Sequence, residues 1–254
     1  MSLPPLTIDQ AKDLAAGGFG KTILRTAGSY VVPMTWAKSL DPQGVHLTNG
    51  TAFFVRTPRA VFGVTAAHVV KQFLQDKAHD PRTVCGLVDS DTEVDLQRDL
   101  IDIGRTVDIA TFRVEEGVIS RLNKQPMTSW PPKTPQIGKG VFYAGFPGQV
   151  RERQGPREFS FGLCSGAGIA DDVDAEKIVT SIKRDELVDT LGYGLPPEGF
   201  EFGGMSGGPL LALMETGIVS WSLAGVIYWG STLGGGILCA AHATCLQQDG
   251  TLSR

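Results

Sequence analysis

The feature that most constrains the fold is a succession of short apolar runs separated by turn-forming residues. Glycine accounts for 32 of the 254 residues and proline for 15, whereas an average protein contains about 7% glycine. Two of these runs, TAFFV at Thr51–Val55 and AVFGVT at Ala60–Thr65, flank a hairpin-like connection. Short runs rich in β-branched and aromatic residues, bounded by glycine and proline, are typical of strands. The sequence therefore predicts a turn-rich, all-β protein.

The runs fall into two groups of similar size. About six of them precede residue 120 and about six follow residue 140, which suits small closed or sandwiched sheets. Between them lies the proline-rich stretch Pro131–Pro135, which resists regular structure. We therefore expect two six-stranded antiparallel β-barrels, at residues 28–125 and 140–246, joined by a linker at residues 126–139.

The two ends of the sequence lie outside these barrels. Thr7 and Gln10 form a capping-box pattern, and the glycines that follow provide a helix stop. We therefore expect a short helix within an N-terminal extension of residues 1–27. Residues 247–254 are expected to form a C-terminal tail.

Charge and composition exclude several classes of partner. The net charge of −4 argues against nucleic acid or an anionic membrane as the main partner. The first residues lack the basic start and apolar core of a secretory signal, so we expect a cytoplasmic protein. The four cysteines have no C-x-x-C spacing, so free thiols are expected and a zinc site is not. No metal or cofactor is predicted.

Ser206 is the candidate nucleophile. It lies at the centre of FGGMSGGPLL, where glycines on both sides allow a tight turn and leave backbone amides uncovered. Taken alone, this stretch also fits a simple glycine-rich turn or the G-x-S-x-G elbow of α/β-hydrolases. The hydrolase alternative requires an acid and then a histidine after the serine. Only Glu215 lies between Ser206 and His242, and no alternating strand–helix pattern supports that fold.

A candidate base and a candidate orienting acid precede the serine. His68 follows an apolar strand and two alanines, and Asp108 heads the apolar run DIATF. A carboxylate in such a position is partly buried and needs a partner, for which an imidazole is suitable. Asp102 competes for the same role because it also precedes an apolar residue. We prefer Asp108, since it alone heads a full strand pattern.

The blocks T-A-A-H, D-I-A and G-x-S-G-G-P, in this order, resemble those of the trypsin/chymotrypsin-like serine peptidases. The resemblance covers residues from about 28 to 246. It implies a serine endopeptidase that acts through an acyl-enzyme, with Ser206 as nucleophile, His68 as base and Asp108 as orienter. The amides of Gly204 and Ser206 would form the oxyanion hole. It implies a peptide or protein substrate and neither metal nor cofactor.

The sequence departs from the secreted members of that family. Met205 stands where secreted trypsins carry the aspartate that pairs with a newly cut N-terminus, and no cysteine neighbours His68 or Ser206. These departures resemble intracellular or bacterial members. Two alternatives to a constitutive enzyme stay open: a latent protease whose loops at Gln149–Glu158 and Gly192–Phe202 are ordered by an activating partner, and a silent scaffold that binds proteins.

In the family, the substrate backbone pairs with a strand that ends near a glycine, which is a form of β-augmentation. Gly217–Ser222 and Gly225–Gly230 compete for this role. We favour the second stretch, which makes Tyr228, Trp229 and Gly230 the predicted substrate-binding residues.

Phe200, six residues before the nucleophile, occupies the position that often forms the floor of the specificity pocket in this family. The absence of an acid there argues against cleavage after lysine or arginine and favours small or apolar side chains. His242, near the end of the last predicted strand, is expected to be structural.

Overall fold

Two seven-stranded antiparallel sheets and one two-stranded hairpin form the body of the protein. The computed structural model describes residues 8–41, 44–88, 93–155, 158–215, 219–231 and 236–253. The predicted all-β architecture with two antiparallel units is confirmed. Each unit contains one strand more than expected, and no pairing between the end strands of either sheet is found among the described residues.

The first sheet contains β1 (Val31–Asp41), β2 (Gly44–Arg56), β3 (Val61–Thr65), β4 (Cys85–Leu87), β5 (Glu93–Val94), β6 (Leu100–Ile103) and β7 (Ala110–Arg113). Its strand order is β5-β4-β1-β2-β3-β7-β6. In β2, Phe53 and Phe54 point to opposite faces, and both are fully buried. A strand that is covered on both faces reads as a continuous apolar run, which explains the letters TAFFV.

Three helices cover one face of this sheet: α3 (Ala67–His79), α4 (Leu96–Asp99) and α5 (Glu116–Arg121). The sequence analysis predicted neither α3 nor α4. Helix α3 begins immediately after β3 and buries Val70 and Phe73 in the cluster that contains Phe54. Because it follows the strand without a polar N-cap, its start carries no capping signal in the sequence.

The second sheet contains β8 (Gly140–Gly145), β11 (Cys164–Ile169), β12 (Asp172–Val173), β13 (Lys177–Ser181), β14 (Pro209–Glu215), β15 (Val219–Ser231) and β16 (Ile237–His242). Its order is β11-β8-β14-β15-β16-β13-β12. Between β8 and β11, the short strands β9 (Arg151–Arg153) and β10 (Phe159–Phe161) form the separate hairpin.

The N-terminal extension contains two helices, α1 (Ile8–Ala16) and α2 (Gly18–Tyr30), where the sequence predicted one. Gly20 explains the difference, because a side chain there would clash with the backbone of Ala15 at the junction of the helices. Helix α2 buries Ile23 and Ala27 and packs against β8 and β11. None of the helices in the described ranges is long and apolar enough to cross a bilayer.

The two sheets share one hydrophobic cluster. Phe53 and Phe62 of the first sheet lie in the same cluster as Phe142 and Leu211 of the second. The segment between the sheets is hydrogen-bonded to both of them: Met127 pairs with β2, and the Lys133 amide donates to a carbonyl of β15. This shared core holds the sheets against each other, while the exact unit boundaries given above stay predictions.

Candidate active site

His68 and Asp108 form a short contact between a candidate base and a candidate orienting acid. His68 lies in the first turn of α3, and Asp108 lies just before β7, which pairs with β3. The imidazole Nδ1 is 2.6 Å from Asp108 Oδ2, and the His68 backbone amide donates to Oδ1 at 2.8 Å. Both carboxylate oxygens are therefore bound by the same residue, which fixes the ring relative to the backbone.

The protonation of this pair follows from the environment of Asp108. Burial opposes ionisation of its carboxyl group. Hydrogen bonds from the His68 ring and backbone amide, together with the positive charges of His68 and Lys71, outweigh burial and lower the Asp108 pKa. At neutral pH the carboxylate is ionised and can only accept hydrogen bonds. In the neutral form of the ring the proton therefore lies on His68 Nδ1, and Nε2 is left as an acceptor.

Ser206 lies in a turn between Phe202 and β14 that is fixed by a residue of the other sheet. Thr51 of β2 donates its amide to the Ser206 carbonyl at 2.9 Å. Its hydroxyl donates to the Gly204 carbonyl at 2.8 Å and accepts from the Phe146 amide at 3.0 Å. Thr51 is fully buried, so these bonds are shielded from water. One threonine thus links the serine turn to the first sheet.

The same contacts bring the serine turn beside the start of α3. A Cβ on Gly50 would lie against both the Val69 side chain and the Ser206 carbonyl. Gly207 has a φ of +93°, and a Cβ there would approach the Ala66 amide and the Thr51 carbonyl. Gly207 therefore packs against Thr65 and Ala66, the residues that lead into α3 and His68.

The backbone amides of Gly204 and Ser206, on either side of Met205, are uncommitted in the described part of the chain. Neighbouring amides are used: Met205 donates to the Phe202 carbonyl at 3.0 Å, and Gly207 donates to the Ile227 carbonyl at 2.7 Å. The amides of Gly204 and Ser206 donate to no group within the described ranges. These are the two donors that the resemblance assigns to the oxyanion hole.

The Ser206 hydroxyl hydrogen bonds to the strand that the sequence predicted for substrate. Its Oγ donates to the Tyr228 carbonyl at 3.4 Å. This distance exceeds the usual range of about 2.5–3.0 Å for a hydroxyl donor, so the bond is weak. The hydroxyl is therefore held loosely and can rotate to another acceptor at little cost.

The stretch Tyr228–Gly230 of β15 presents an open edge beside the serine. Strand β14 pairs with β15 as far as Val226, and Ile227 then exchanges hydrogen bonds with Gly207 and Gly208. Beyond Ile227, β16 pairs with one edge, and no described strand occupies the other. Trp229 leaves 49% of its surface exposed. The rival stretch Gly217–Ser222 begins with residues outside the described ranges, and its remainder pairs with β14.

The surroundings of this edge are apolar. A Cβ on Gly230 would contact Leu238 and Phe202. Phe200, the predicted pocket floor, is buried and makes an edge-to-face contact with Phe202, with ring centroids 5.3 Å apart. Tyr228 lies at the other end of the edge, where burial raises the pKa of its phenol and the nearby negative charges, including that of Asp108, act in the same direction.

The remaining candidates have other roles. Asp102 accepts hydrogen bonds from the amides of Ile103 and Leu252, at 2.8 and 2.9 Å, and so anchors the C-terminal segment. His242 contacts the Asp174 carbonyl through Nε2 at 2.9 Å, as a structural residue would. Within the described ranges, no three His, Cys, Asp or Glu side chains are grouped as a metal site requires. All four cysteines are free thiols, as expected.

Sequence reasoning missed the residues that support the serine turn. The sequence predicts Thr51 only as the start of an apolar strand and indicates no role for Asn49. Asn49 donates to the Phe146 carbonyl at 2.8 Å and accepts from Arg151 at the same distance. The only sequence signal was the position of these small polar residues directly before a buried strand, where an unpaired polar group is costly.

No protein-family model matches this sequence, and no curated protein matches it. Among solved structures, the chain is similar to a thermostable serine protease from an extremophilic microorganism, with a TM-score of 0.45 and 15% sequence identity. The match covers 85% of this chain and 92% of that chain.

Proposed function

We propose that this protein is a trypsin-like serine endopeptidase, with Ser206 as nucleophile, His68 as general base and Asp108 as the residue that orients the base. The observation that carries the proposal is the double contact between His68 and Asp108, which directs the proton of the neutral ring to Nδ1 and leaves Nε2 as an acceptor.

The reaction follows from these groups. The Ser206 hydroxyl attacks a peptide carbonyl while His68 Nε2 takes its proton, and Asp108 stabilises the resulting imidazolium. The carbonyl oxygen becomes an oxyanion and accepts hydrogen bonds from the amides of Gly204 and Ser206. His68 then donates the proton to the leaving amine, which leaves an acyl group on Ser206. Water, deprotonated by His68, releases the acid product.

The substrate is an extended peptide that pairs with the open edge at Tyr228–Gly230, as an added strand pairs with an exposed sheet edge. The apolar residues Phe202 and Leu238 beside Gly230 favour a small or apolar side chain at the bond that is cleaved. The nearest atoms to a Cβ on Gly230 belong to Leu238, Phe202 and the Ile237 carbonyl, and none of them is a carboxylate that would attract lysine or arginine.

A second function is favoured by one contact. The Ser206 hydroxyl donates to the Tyr228 carbonyl at 3.4 Å, whereas an active nucleophile must reach the histidine. This geometry supports a latent protease, activated by a partner, or a silent scaffold that binds peptides at the same edge. Binding without cleavage distinguishes the silent scaffold, and cleavage that requires an added partner distinguishes the latent protease.

Peptide cleavage tests the proposal. A proteome-derived peptide library is incubated with the wild type and with Ser206→Ala, and new termini are identified by mass spectrometry. The proposal predicts cleavages that are absent with Ser206→Ala and that follow small or apolar residues. Binding of library peptides by both proteins, with no cleavage by either, would establish the scaffold instead.

A further inference from the structure

A hairpin outside the serine turn is connected to the oxyanion donors by hydrogen bonds. The segment Phe146–Arg151 leads from β8 into β9, and its backbone runs past Gly203 and Gly204. The Gly148 amide donates to the Gly203 carbonyl at 2.7 Å. Because a trans peptide directs its C=O and N–H to opposite sides, this bond determines where the Gly204 N–H points. That N–H is one of the two uncommitted donors.

Asn49 of β2 contacts both segments, at Phe146 and at Gly204. Its Nδ2 donates to the Phe146 carbonyl at 2.8 Å. The same atom would lie 2.6 Å from a Cβ on Gly204, so the amide packs directly on the Gly204 backbone, where φ is +99°. Asn49 can hold Gly204 in this way only with Nδ2, and not Oδ1, directed toward Phe146.

Arg151 determines which way the Asn49 amide faces. Its guanidinium donates to Asn49 Oδ1 at 2.8 Å, and a guanidinium has no acceptor to offer a reversed amide. Arg151 is half-buried, and this burial lowers its pKa. No carboxylate of the described chain lies within salt-bridge distance of it. Burying a cation without an acid partner costs free energy. We therefore expect the contact between Arg151 and Asn49 to serve a function.

We propose that Arg151 is a positioning residue that, through Asn49, holds the Gly204 N–H in the orientation required by the oxyanion. This inference rests on the proposed peptidase function and deepens it. Gln149 of the same segment acts in parallel, because its Oε1 accepts from the Glu201 amide at 2.5 Å and so fixes the chain that enters the serine turn. The base of the hairpin thereby controls the rate of acylation.

The test uses the full chain and two probes, p-nitrophenyl acetate and a fluorophosphonate. Both require the oxyanion donors, since a carbonyl or phosphonyl oxygen must occupy that position. Arg151→Met should lower kcat for the ester by roughly 10- to 100-fold, as expected for a misplaced catalytic group, with KM unchanged. Fluorophosphonate labelling should slow by the same factor. Arg151→Lys, which keeps a donor for Asn49, should recover most of the rate.

Two further readouts separate positioning from a general structural effect. The pH at which ester hydrolysis is half-maximal should not move in Arg151→Met, because the His68–Asp108 pair is untouched. Arg153→Met, an equal charge change on an exposed residue of the same strand, should retain the wild-type rate. If Arg151→Met does not fold, Gln149→Leu at an exposed site supplies the same test.

Wild-type rates in folded Arg151→Met or Gln149→Leu would overturn the inference, as would an equal loss in Arg153→Met. Failure of the proposed function has a different signature: the wild type itself would not be labelled at Ser206.

Discussion

At the scale of single residues, Asp108 sets the tautomer of His68. Asp108→Asn should lower kcat by about four orders of magnitude, because an amide can donate to Nδ1 and so favour the wrong tautomer. Asp102→Asn is the matched control, since Asp102 also accepts two hydrogen bonds but anchors the C-terminal segment. Steady-state ester hydrolysis measures both. Comparable kcat losses in the two variants would contradict the role of Asp108.

The same carboxylate makes stability depend on pH. Its pKa is lowered in the folded state. The ionised carboxylate therefore contributes fully to the free energy of unfolding above its unfolded-state pKa of about 3.9, and this contribution is lost as the pH falls through the lower folded-state pKa. Urea unfolding should therefore show a difference in unfolding free energy between the wild type and Asp108→Asn at about pH 5, and this difference should shrink as the pH falls below about 4. A difference that stays constant down to about pH 2 would contradict the ionised state of Asp108.

Thr51 supports the oxyanion turn through its hydroxyl group. Thr51→Val keeps the shape but leaves the Gly204 carbonyl and the Phe146 amide without a partner, each at a cost of about 1–3 kcal/mol of unfolding free energy. It should also lower kcat. Thr111→Val is the control, because Thr111 is equally buried and donates to the Gly250 carbonyl, away from the serine turn. It should lose stability with kcat unchanged. Reduced kcat in Thr111→Val alone would contradict this assignment.

At the scale of elements, helix α2 anchors the N-terminal extension on the second sheet. Ile23→Ala should lower the free energy of unfolding by about 2–5 kcal/mol, because Ile23 is buried in the cluster shared by both sheets. Arg25→Ala, on the exposed face of the same helix, should change it by less than about 0.5 kcal/mol. Chemical denaturation measures both. Equal effects would mean that α2 is not docked as described.

Elements also show where sequence reasoning succeeds. The strand pattern and its division into two antiparallel sheets are legible, because strands are marked by turn residues and buried runs. Helices α2 and α3 are not, because the glycines of α2 serve close packing and α3 has no polar cap. The bonds of Thr51 and Arg151 join residues about 100 or more positions apart, and no local pattern encodes them.

At the scale of the whole molecule, the shared core predicts cooperative unfolding. Cys85 of the first sheet and Cys239 of the second are both buried, and burial raises the pKa of the Cys85 thiol to about 12. Both should therefore resist thiol reagents in the folded protein. Pulse labelling across a urea series, read by peptide mass spectrometry, should give the same midpoint for both cysteines. Two separated midpoints would show that the sheets unfold independently.

The most direct test of the catalytic assignment is intact-mass analysis after treatment with a fluorophosphonate. We predict one adduct per chain, lost in Ser206→Ala and suppressed in His68→Ala, because a serine hydroxyl reacts rapidly with the probe only when an adjacent base activates it. An unlabelled, folded wild type would contradict a constitutively active peptidase. Labelling that persists in Ser206→Ala would contradict the assignment of Ser206 as the nucleophile.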